Sequence, residues 1–483
     1  MTKINSMKVL LIEPPPFGKY GNQRSKGAFG NLKTDIRWPP VDLVVIAGYL
    51  RKNGIGVQLI DAGGERLSLS ELRNRISAKE PKIVIISTST TSLYKDLKVA
   101  GEVKSIWKNA LVGAIGVHVM ALPEDTLSLS QDLDFVIFSE PEIPILNLSK
   151  TLNLFSVKGV CRRENGKFVK NPPEPPIQDM DELGIPAHDL LPLTLYQEPQ
   201  MKRKPLAVTM VSRGCINRCV FCSSHFYGKY RLRSVENVME ELRWITGDLG
   251  VKELKFYDDG ITYNREWAAE LFSRMIEEKT DLTWNTNLRA DSIDYELARL
   301  MKMAGCHTVN MGLESASQDI LNNIKKNITI EKMEQAVTDC KKAGLEVCGY
   351  FIIGLPGETL KTVNETIEFA KKLDLDLVTF NITAPHPGTP FYDYLDENGY
   401  LRTKDWSRYD TNSVPVYDYP NMPAEEIYSL ALMAYRKFYM RPQYFWKRLR
   451  RLDSFLELKN LASNFIAFMN NFILKGFRVR ISK

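Results

Sequence analysis

Short apolar runs of strand length alternate with helix patterns twice along this chain, and this double alternation restricts the fold more than any other feature. In the first half the buried-strand runs are residues 8–12, 57–61, 82–87, 111–116 and 134–139. In the second half they are 206–211, 252–257, 282–287, 307–313, 346–353 and 376–383. Strands that alternate with helices build parallel sheets, because a parallel pair needs a crossover and a helix supplies one. The expected class is α/β: a doubly wound parallel sheet, then a partial barrel of six βα units, then a helical region. Ser68-Leu69-Ser70-Glu71 reads as a capping box, and Gly344 as the stop of a helix over 330–343.

The expected division is 1–155 for the first sheet, 156–204 for a connector, 205–392 for the barrel and 393–483 for a basic helical region. The connector carries Pro172-Pro173-Glu174-Pro175-Pro176 and reads as a hairpin followed by an extended linker. A long loop over 13–40 leaves the carboxyl end of the first strand, where open α/β sheets bind ligands. The chain has 483 residues, 44% apolar and 25% charged, and is long enough for roughly two to three folded domains.

The formal charge of +6 is concentrated at one end. From Arg441 to Lys483 there are ten Lys and Arg against Asp453 and Glu457, so the remainder is slightly acidic. A nucleic-acid-binding core is therefore not expected. Leu452, Phe455, Leu456, Phe465, Phe468, Met469, Phe472 and Ile473 recur there at helical spacing. An amphipathic basic helix of this kind suits an anionic membrane surface, although a solvated bundle covering the barrel is the commoner use of such a pattern. No apolar run approaches the ~18 residues that span a bilayer, and no signal-peptide pattern is read at the start. A cytoplasmic protein is expected, with a peripheral place on the inner membrane face as a further expectation.

Of seven cysteines, three fall within eight residues: Cys215, Cys219 and Cys222. The spacing is C-x3-C-x2-C, with Phe221 before the last. Cys161, Cys306, Cys340 and Cys348 are scattered in apolar surroundings and read as buried thiols, not as a disulfide framework. Three close thiolates can hold three irons of a [4Fe–4S] cluster and leave the fourth iron open. The rival reading is structural zinc, which wants four ligands and would recruit His225. The cysteines follow the first barrel strand, and βα barrels carry their chemistry at that carboxyl-terminal face.

On these cysteines and this placement the chain resembles the radical S-adenosylmethionine (SAM) enzymes. Trp38-Pro39-Pro40, Asp61-Ala62-Gly63 and Ser139-Glu140-Pro141-Glu142 make the first domain similar to their cobalamin-binding subgroup. The Asp-x-His-x-x-Gly motif that supplies a lower cobalt ligand elsewhere is absent, as in many of that subgroup. The runs 86–92 and 116–125 resemble members that modify membrane lipids, among them hopanoid-modifying enzymes, calditol synthase and tetraether-lipid ring synthases.

The resemblance implies three cofactors: a [4Fe–4S] cluster on Cys215, Cys219 and Cys222, SAM chelated on the open iron, and cobalamin on the first domain. It implies that reductive cleavage of SAM gives a 5′-deoxyadenosyl radical able to attack an unactivated C–H bond. Phe221 is implied near the adenine, with barrel packing as the alternative. Asp258 and Asp259 are implied to receive the SAM ammonium group, with a turn as the alternative. Asn285, Asn287 and Arg289 alternate along one strand and share a face. Arg289 suits the SAM carboxylate or, equally, a structural ion pair. Glu314 and Ser315 are implied contacts to ribose or methionine, and Ile352 to an adenine slot in the run 349–358. His386 is a further candidate toward substrate. On the first domain Ser87 and Thr88 would meet a nucleotide tail, and His118 would face cobalamin or serve as an ordinary loop histidine.

The leading expectation is radical chemistry on a membrane lipid or other hydrophobic substrate, forming a ring, a C–C bond or an ether-linked headgroup. A ferredoxin or flavodoxin is the expected electron donor. The alternatives are a cobalamin-dependent radical SAM methyltransferase, an anaerobic porphyrin cyclase and, from a different class, a zinc-stabilised binding module.

Overall fold

A computed structural model describes residues 8–450 apart from 19, 20, 23, 25–31, 33 and 79, together with 458, 462 and 466. The first sheet is built on β1 (Val9–Glu13), β2 (Val57–Asp61), β3 (Ile83–Ser87), β4 (Leu111–Ile115) and β5 (Phe135–Ile137), all parallel. Helices such as Val41–Lys52 and Lys98–Ile106 cross between them, so β1 and β3 are buried along their whole length. Parallel strands covered on both faces read as continuous apolar runs, and Ile83-Val84-Ile85-Ile86 is one. Chain reversal places β1 between β2 and β3, the switch point of the sheet. The capping box forms as expected: Ser68 Oγ accepts from Glu71 N at 3.2 Å, and Glu71 accepts from Ser68 N at 2.7 Å.

The connector differs from its expected form in two ways. Its hairpin, β6 (Val160–Glu164) and β7 (Lys167–Lys170), pairs antiparallel with β5 and extends the first sheet to seven strands. The segment after it is not a loose linker. It buries Ile177, Met180, Leu183, Tyr196 and Met201, because its apolar residues fill the seam between the two halves of the chain.

The barrel follows in the order β8 (Leu206–Thr209), β11 (Glu253–Phe256), β12 (Thr283–Arg289), β13 (Cys306–Glu314), β14 (Glu346–Ile353), β15 (Leu377–Ile382), all parallel. Two short strands, β9 (Ser212–Arg213) and β10 (Arg231–Leu232), form a separate ladder at its mouth. The helices that follow open on capping side chains: Ser234, Asn264, Asp294, Thr329 and Thr359 each accept a backbone N–H of the first turn. Gly344 ends the helix Ile330–Lys342 at φ +85°, as its position implied. Trp284, fully buried, packs its ring against Phe256 and Phe272 at 5.1 and 5.2 Å between centroids. Cys161, Cys306, Cys340 and Cys348 are buried and free.

Beyond the barrel the chain is not uniformly helical. After the helix Pro390–Glu397 it runs irregularly, with isolated bridges from Leu401 to Tyr417 and from Tyr419 to Met422, until the helices Ala424–Tyr439 and Pro442–Leu449. Pro415, Pro420 and Pro423 explain the interruption, since each removes a backbone donor and blocks a helical turn. The helix Ala424–Tyr439 covers the edge strand β15, where Tyr439 Oη bonds both the N–H and the carbonyl of Val378 at 2.9 and 2.7 Å. A covered edge cannot pair with another chain. The apolar stripe Leu452, Phe455, Leu456, Phe465, Phe468, Met469, Phe472 and Ile473 lies outside the described residues. Among the described residues no helix is long and apolar enough to cross a membrane.

Candidate functional site

The loop over 214–230 springs from the two-residue ladder of β9 and β10 and carries all three clustered cysteines. Gly214 makes the turn at φ +82°; a Cβ there would lie 2.5 Å from the carbonyl oxygen of Lys229. The thiols are half-buried and free. Cys215 Sγ lies 3.2 Å from Tyr263 Oη and accepts from Asn217 N at 3.4 Å. Cys219 Sγ receives Arg289 Nη1 at 3.9 Å, and Cys222 Sγ is 3.4 Å from Ser224 Oγ. Burial pushes the Cys222 thiol up to about 11, and raises Cys219 against the pull of Lys326 and Arg289. His225 turns both ring nitrogens to carbonyl oxygens, of Cys222 at 2.8 Å and Gly388 at 3.0 Å. Among the described residues no three His, Cys, Asp or Glu side chains are gathered around one ion position. Structural zinc would ask His225 for a fourth bond, and both nitrogens of His225 face carbonyl oxygens, whereas a cubane asks each thiolate to take its own iron.

The two acids sit at the base of the loop rather than out in the mouth. Asp258 Oδ1 accepts from Val211 N at 2.8 Å, Ser212 N at 2.5 Å and Ser212 Oγ at 2.8 Å. Asp259 accepts from Gly214 N at 3.0 Å and Ser224 Oγ at 3.1 Å. These bonds brace the cysteine loop, which is the turn reading in a more specific form. Asn285, Asn287 and Arg289 keep their shared face on β12 but meet different partners. Asn285 is fully buried and bonds Lys255 Nζ at 2.8 Å and the carboxylate of Glu198. Arg289 takes the ion-pair alternative, forking onto Asp291 at 2.9 and 2.7 Å and donating to Lys326 O at 2.7 Å. Its remaining nitrogen is the one that faces Cys219. Asn287 lies between them, and its Oδ1 is buried without a hydrogen-bond partner among the described residues.

Glu314 ends β13 at φ +63°, a left-handed conformation that costs a non-glycine residue about 1 kcal/mol. Its carboxylate holds Lys326 Nζ at 2.7 Å. Ser315 turns inward, 3.4 Å from Thr366 Oγ1. Ile352 and Phe221 are half-buried and pack against the core. The structure thus brings Cys219, Arg289, Lys326 and Glu314 together and sends Asn285 and Ser315 elsewhere. Tyr263, Lys326 and Glu198 are site residues that the sequence reading passed over. Tyr263 had a signal, an aromatic just past the acidic turn; Lys326 and Glu198 had none.

The carboxyl edge of the first sheet faces this mouth. There Ser87 bonds Glu13, and Thr88 Oγ1 donates to Ile115 O at 2.8 Å, so both hydroxyls serve the sheet itself. Glu13 and Asp96 enclose Arg24 from the long loop at 2.9 and 2.6 Å. Tyr196 from the connector donates to Asp61 at 2.7 Å, and burial, with Glu13 nearby, pushes the Asp61 carboxyl up to about 7. His118 is buried with its ring edge-on to Trp406 at 5.0 Å, and its Nε2 has no hydrogen-bond partner among the described residues. Burial pushes the His118 pKa down, and burial with His118 beside it pushes His386 down to about 4. Ties between the edges include Trp406 Nε1 to Asp125 at 3.0 Å, Trp38 Nε1 to Glu198 at 2.8 Å, and Glu142 to Arg213 at 2.7 Å.

Comparison with known proteins agrees with this layout. Residues 209–370 match the family model of the Radical SAM superfamily, and residues 29–149 that of the B12 binding domain. An uncharacterized methyltransferase of Pyrococcus horikoshii is 38% identical over 443 residues, which cover 90% of this chain and 93% of that protein. The anaerobic magnesium-protoporphyrin IX monomethyl ester cyclase of Rubrivivax gelatinosus is 28% identical over 448 residues, covering 90% and 78%. The solved structure of the cobalamin-dependent S-adenosylmethionine radical enzyme OxsB, with aqua-cobalamin and S-adenosylmethionine bound, superposes with a TM-score of 0.73 at 16% identity over 96% of this chain and 72% of that one.

The cofactors that follow are a [4Fe–4S] cluster, SAM and cobalamin, and the residues present fit them. Three free thiols on one braced loop suit the cluster. The unpaired Asn287 Oδ1 suits a donor such as an ammonium or ribose hydroxyl, and His118, its Nε2 3.8 Å from Asp125, lies on the edge that would carry the corrin. When bound, the cluster supplies the electron that breaks the carbon–sulfur bond of SAM. The chain's part is placement: Tyr263 and Arg289 hold the sulfurs of Cys215 and Cys219, and the Glu314–Lys326 pair fixes the end of β13 beside them. The protein is an enzyme of the Radical SAM superfamily, and belongs to the group that carries an N-terminal B12 binding domain.

Proposed function

We propose that this chain is a cobalamin-dependent radical SAM methyltransferase acting on a carbon of a hydrophobic, polar-edged substrate. The observation that carries this reading is the opposition of the two carboxyl edges. The cobalamin-type edge is bonded through Glu142 and Arg213 to the stem of the cysteine loop, so a methyl carrier and a radical source would share one space. The methyltransferase relative at 38% identity supports it, and methyl transfer replaces ring or headgroup formation on a membrane lipid as the leading reading. Cyclisation of a porphyrin remains the second reading, supported by the cyclase relative.

The test is incubation of the anaerobically reconstituted protein with cobalamin, a ferredoxin or flavodoxin as reductant, methyl-deuterated SAM and a fractionated cell extract. Appearance of the label in a product, with S-adenosylhomocysteine formed beside 5′-deoxyadenosine, is expected. 5′-Deoxyadenosine with neither label transfer nor S-adenosylhomocysteine would favour the cyclase reading.

An anionic membrane surface is proposed as a partner of the C-terminal region. Trp446 and Phe445 stand 64% and 47% exposed on the helix Pro442–Leu449, beside Arg450 and at the start of the basic stretch. Sedimentation with phosphatidylglycerol vesicles is expected at low salt and is expected to weaken in Trp446→Ala. Equal recovery of both proteins in the supernatant would remove this partner.

A further inference from the structure

The stem of the cysteine loop is gripped by the other domain. Arg213 and Arg231 are direct partners across the β9–β10 ladder, so two like charges stand side by side at the base of the loop. Both are buried, at 3% and 8% exposure. Cations in that position need anions. Both anions come from the segment after β5 on the first domain. Arg213 Nη2 donates to Glu142 Oε1 at 2.7 Å and Nη1 to Glu140 Oε2 at 3.3 Å. Arg231 forks onto Glu140 at 2.5 and 3.1 Å and also donates to the carbonyls of Tyr227 and Ile177. Burial alone would lower the Arg213 pKa; Glu142 and Glu140 outweigh it and raise the pKa.

One bond is missing from this network. Arg213 Nε and Glu142 Oε2 are both buried without hydrogen-bond partners among the described residues. They are the remaining donor and acceptor of one guanidinium–carboxylate pair. The pair is joined by a single bond in this structure, one short of the two-bond fork that such pairs favour. Glu142 opens the helix Glu142–Thr151 at the carboxyl edge of the first sheet, where a ligand lies in folds of this kind. Arg213 is two residues from Cys215. A shift at that edge therefore has a direct, buried ion-pair contact through which to reach the cluster loop.

We propose that Glu140 and Glu142 are positioning residues that link the two sites: cobalamin on the first domain changes, through Arg213 and Arg231, how tightly SAM binds at the barrel. This rests on the cobalamin-dependent reading above. Linkage is reciprocal, so SAM tightens or loosens cobalamin by the same factor.

The experiment titrates SAM against the electron paramagnetic resonance signal of the reduced cluster, with and without hydroxocobalamin, while absorbance reports the cobalamin retained. In the native chain cobalamin is expected to change the SAM Kd by about fivefold or more, and in Glu142→Gln by less than about twofold. The iron, sulfide and cobalamin contents of that variant are expected to remain native. If the loss of one of the two carboxylates on Arg213 unfolds it, the double variant Arg213→Gln with Glu142→Gln removes both charges and carries the same expectation. A native SAM affinity indifferent to bound cobalamin, or a folded variant that keeps the whole factor, overturns the proposal. A native chain that retains no cobalamin at all overturns the cobalamin-dependent reading instead.

Discussion

Cys219→Ala is expected to lower reductive cleavage of SAM by at least about 10³-fold, the scale on which removing an essential catalytic group lowers a rate. The fold should survive. The Cys219 thiol makes one long contact, to Arg289 at 3.9 Å, and that guanidinium keeps its fork on Asp291. Loss of activity with a native unfolding transition therefore reports on the cluster rather than on packing. The check is 5′-deoxyadenosine formed under dithionite, with iron and labile sulfide assayed on the same sample. Cys340→Ala, at a thiol buried in a helix away from the loop, is expected to keep both cluster and cleavage. Retained cleavage in Cys219→Ala, or a single zinc without sulfide in the native protein, would contradict the assignment.

Glu241→Ala is expected to cost about 3–5 kcal/mol of folding stability, read as the shift of the urea transition, because it takes the carboxylate from the buried Arg233 guanidinium. Glu241 is fully buried on the helix Val235–Gly247 and bonds His188 of the connector at 2.7 Å and Arg233 at the end of β10. With a whole-chain stability on the order of 5–15 kcal/mol, this is a large share. The pH dependence has a definite sign. Burial alone would raise this carboxyl, but Arg233 and His188 outweigh it and hold it down to about 2, against an ordinary value of 4.5. A depressed carboxyl stabilises the native state above its unfolded pKa and stops doing so as the pH falls through its folded value. The native protein should therefore lose this contribution between pH 4.5 and pH 2, and the alanine variant should lack that part of the acid limb. Coincident acid limbs for the two proteins would refute this account.

Strands were the most legible part of the sequence. β2 and β14 fall on the residues their runs marked, and β3, covered on both faces, is apolar through Ile83-Val84-Ile85-Ile86. What pairs with what was less legible. The hairpin β6–β7 carried its turn in Asn165-Gly166, but nothing local says that its partner is β5. The cysteines were readable because their spacing and their place after the first barrel strand point the same way. Asp258 was not, because the N–H groups it binds lie 46 and 47 residues away, and an acid before a glycine looks the same whether it holds a ligand or a backbone. Glu142 stood in a segment singled out in the sequence and Arg213, 71 residues away, just before one, and only folding shows that they meet. The C-terminal region was overread as continuous helix although Pro415, Pro420 and Pro423 argued against it.

The connector has a consequence for how the two halves can move. Within three residues it plugs Tyr196 into the first domain, onto Asp61, and Glu198 into the barrel, onto Lys255 and Asn285. Swinging the halves apart like a clamshell would pull both plugs at once and leave Asp61, Lys255 and Asn285 stranded in a dry seam. The two halves are therefore riveted at this seam, and parting them would break buried bonds on both sides.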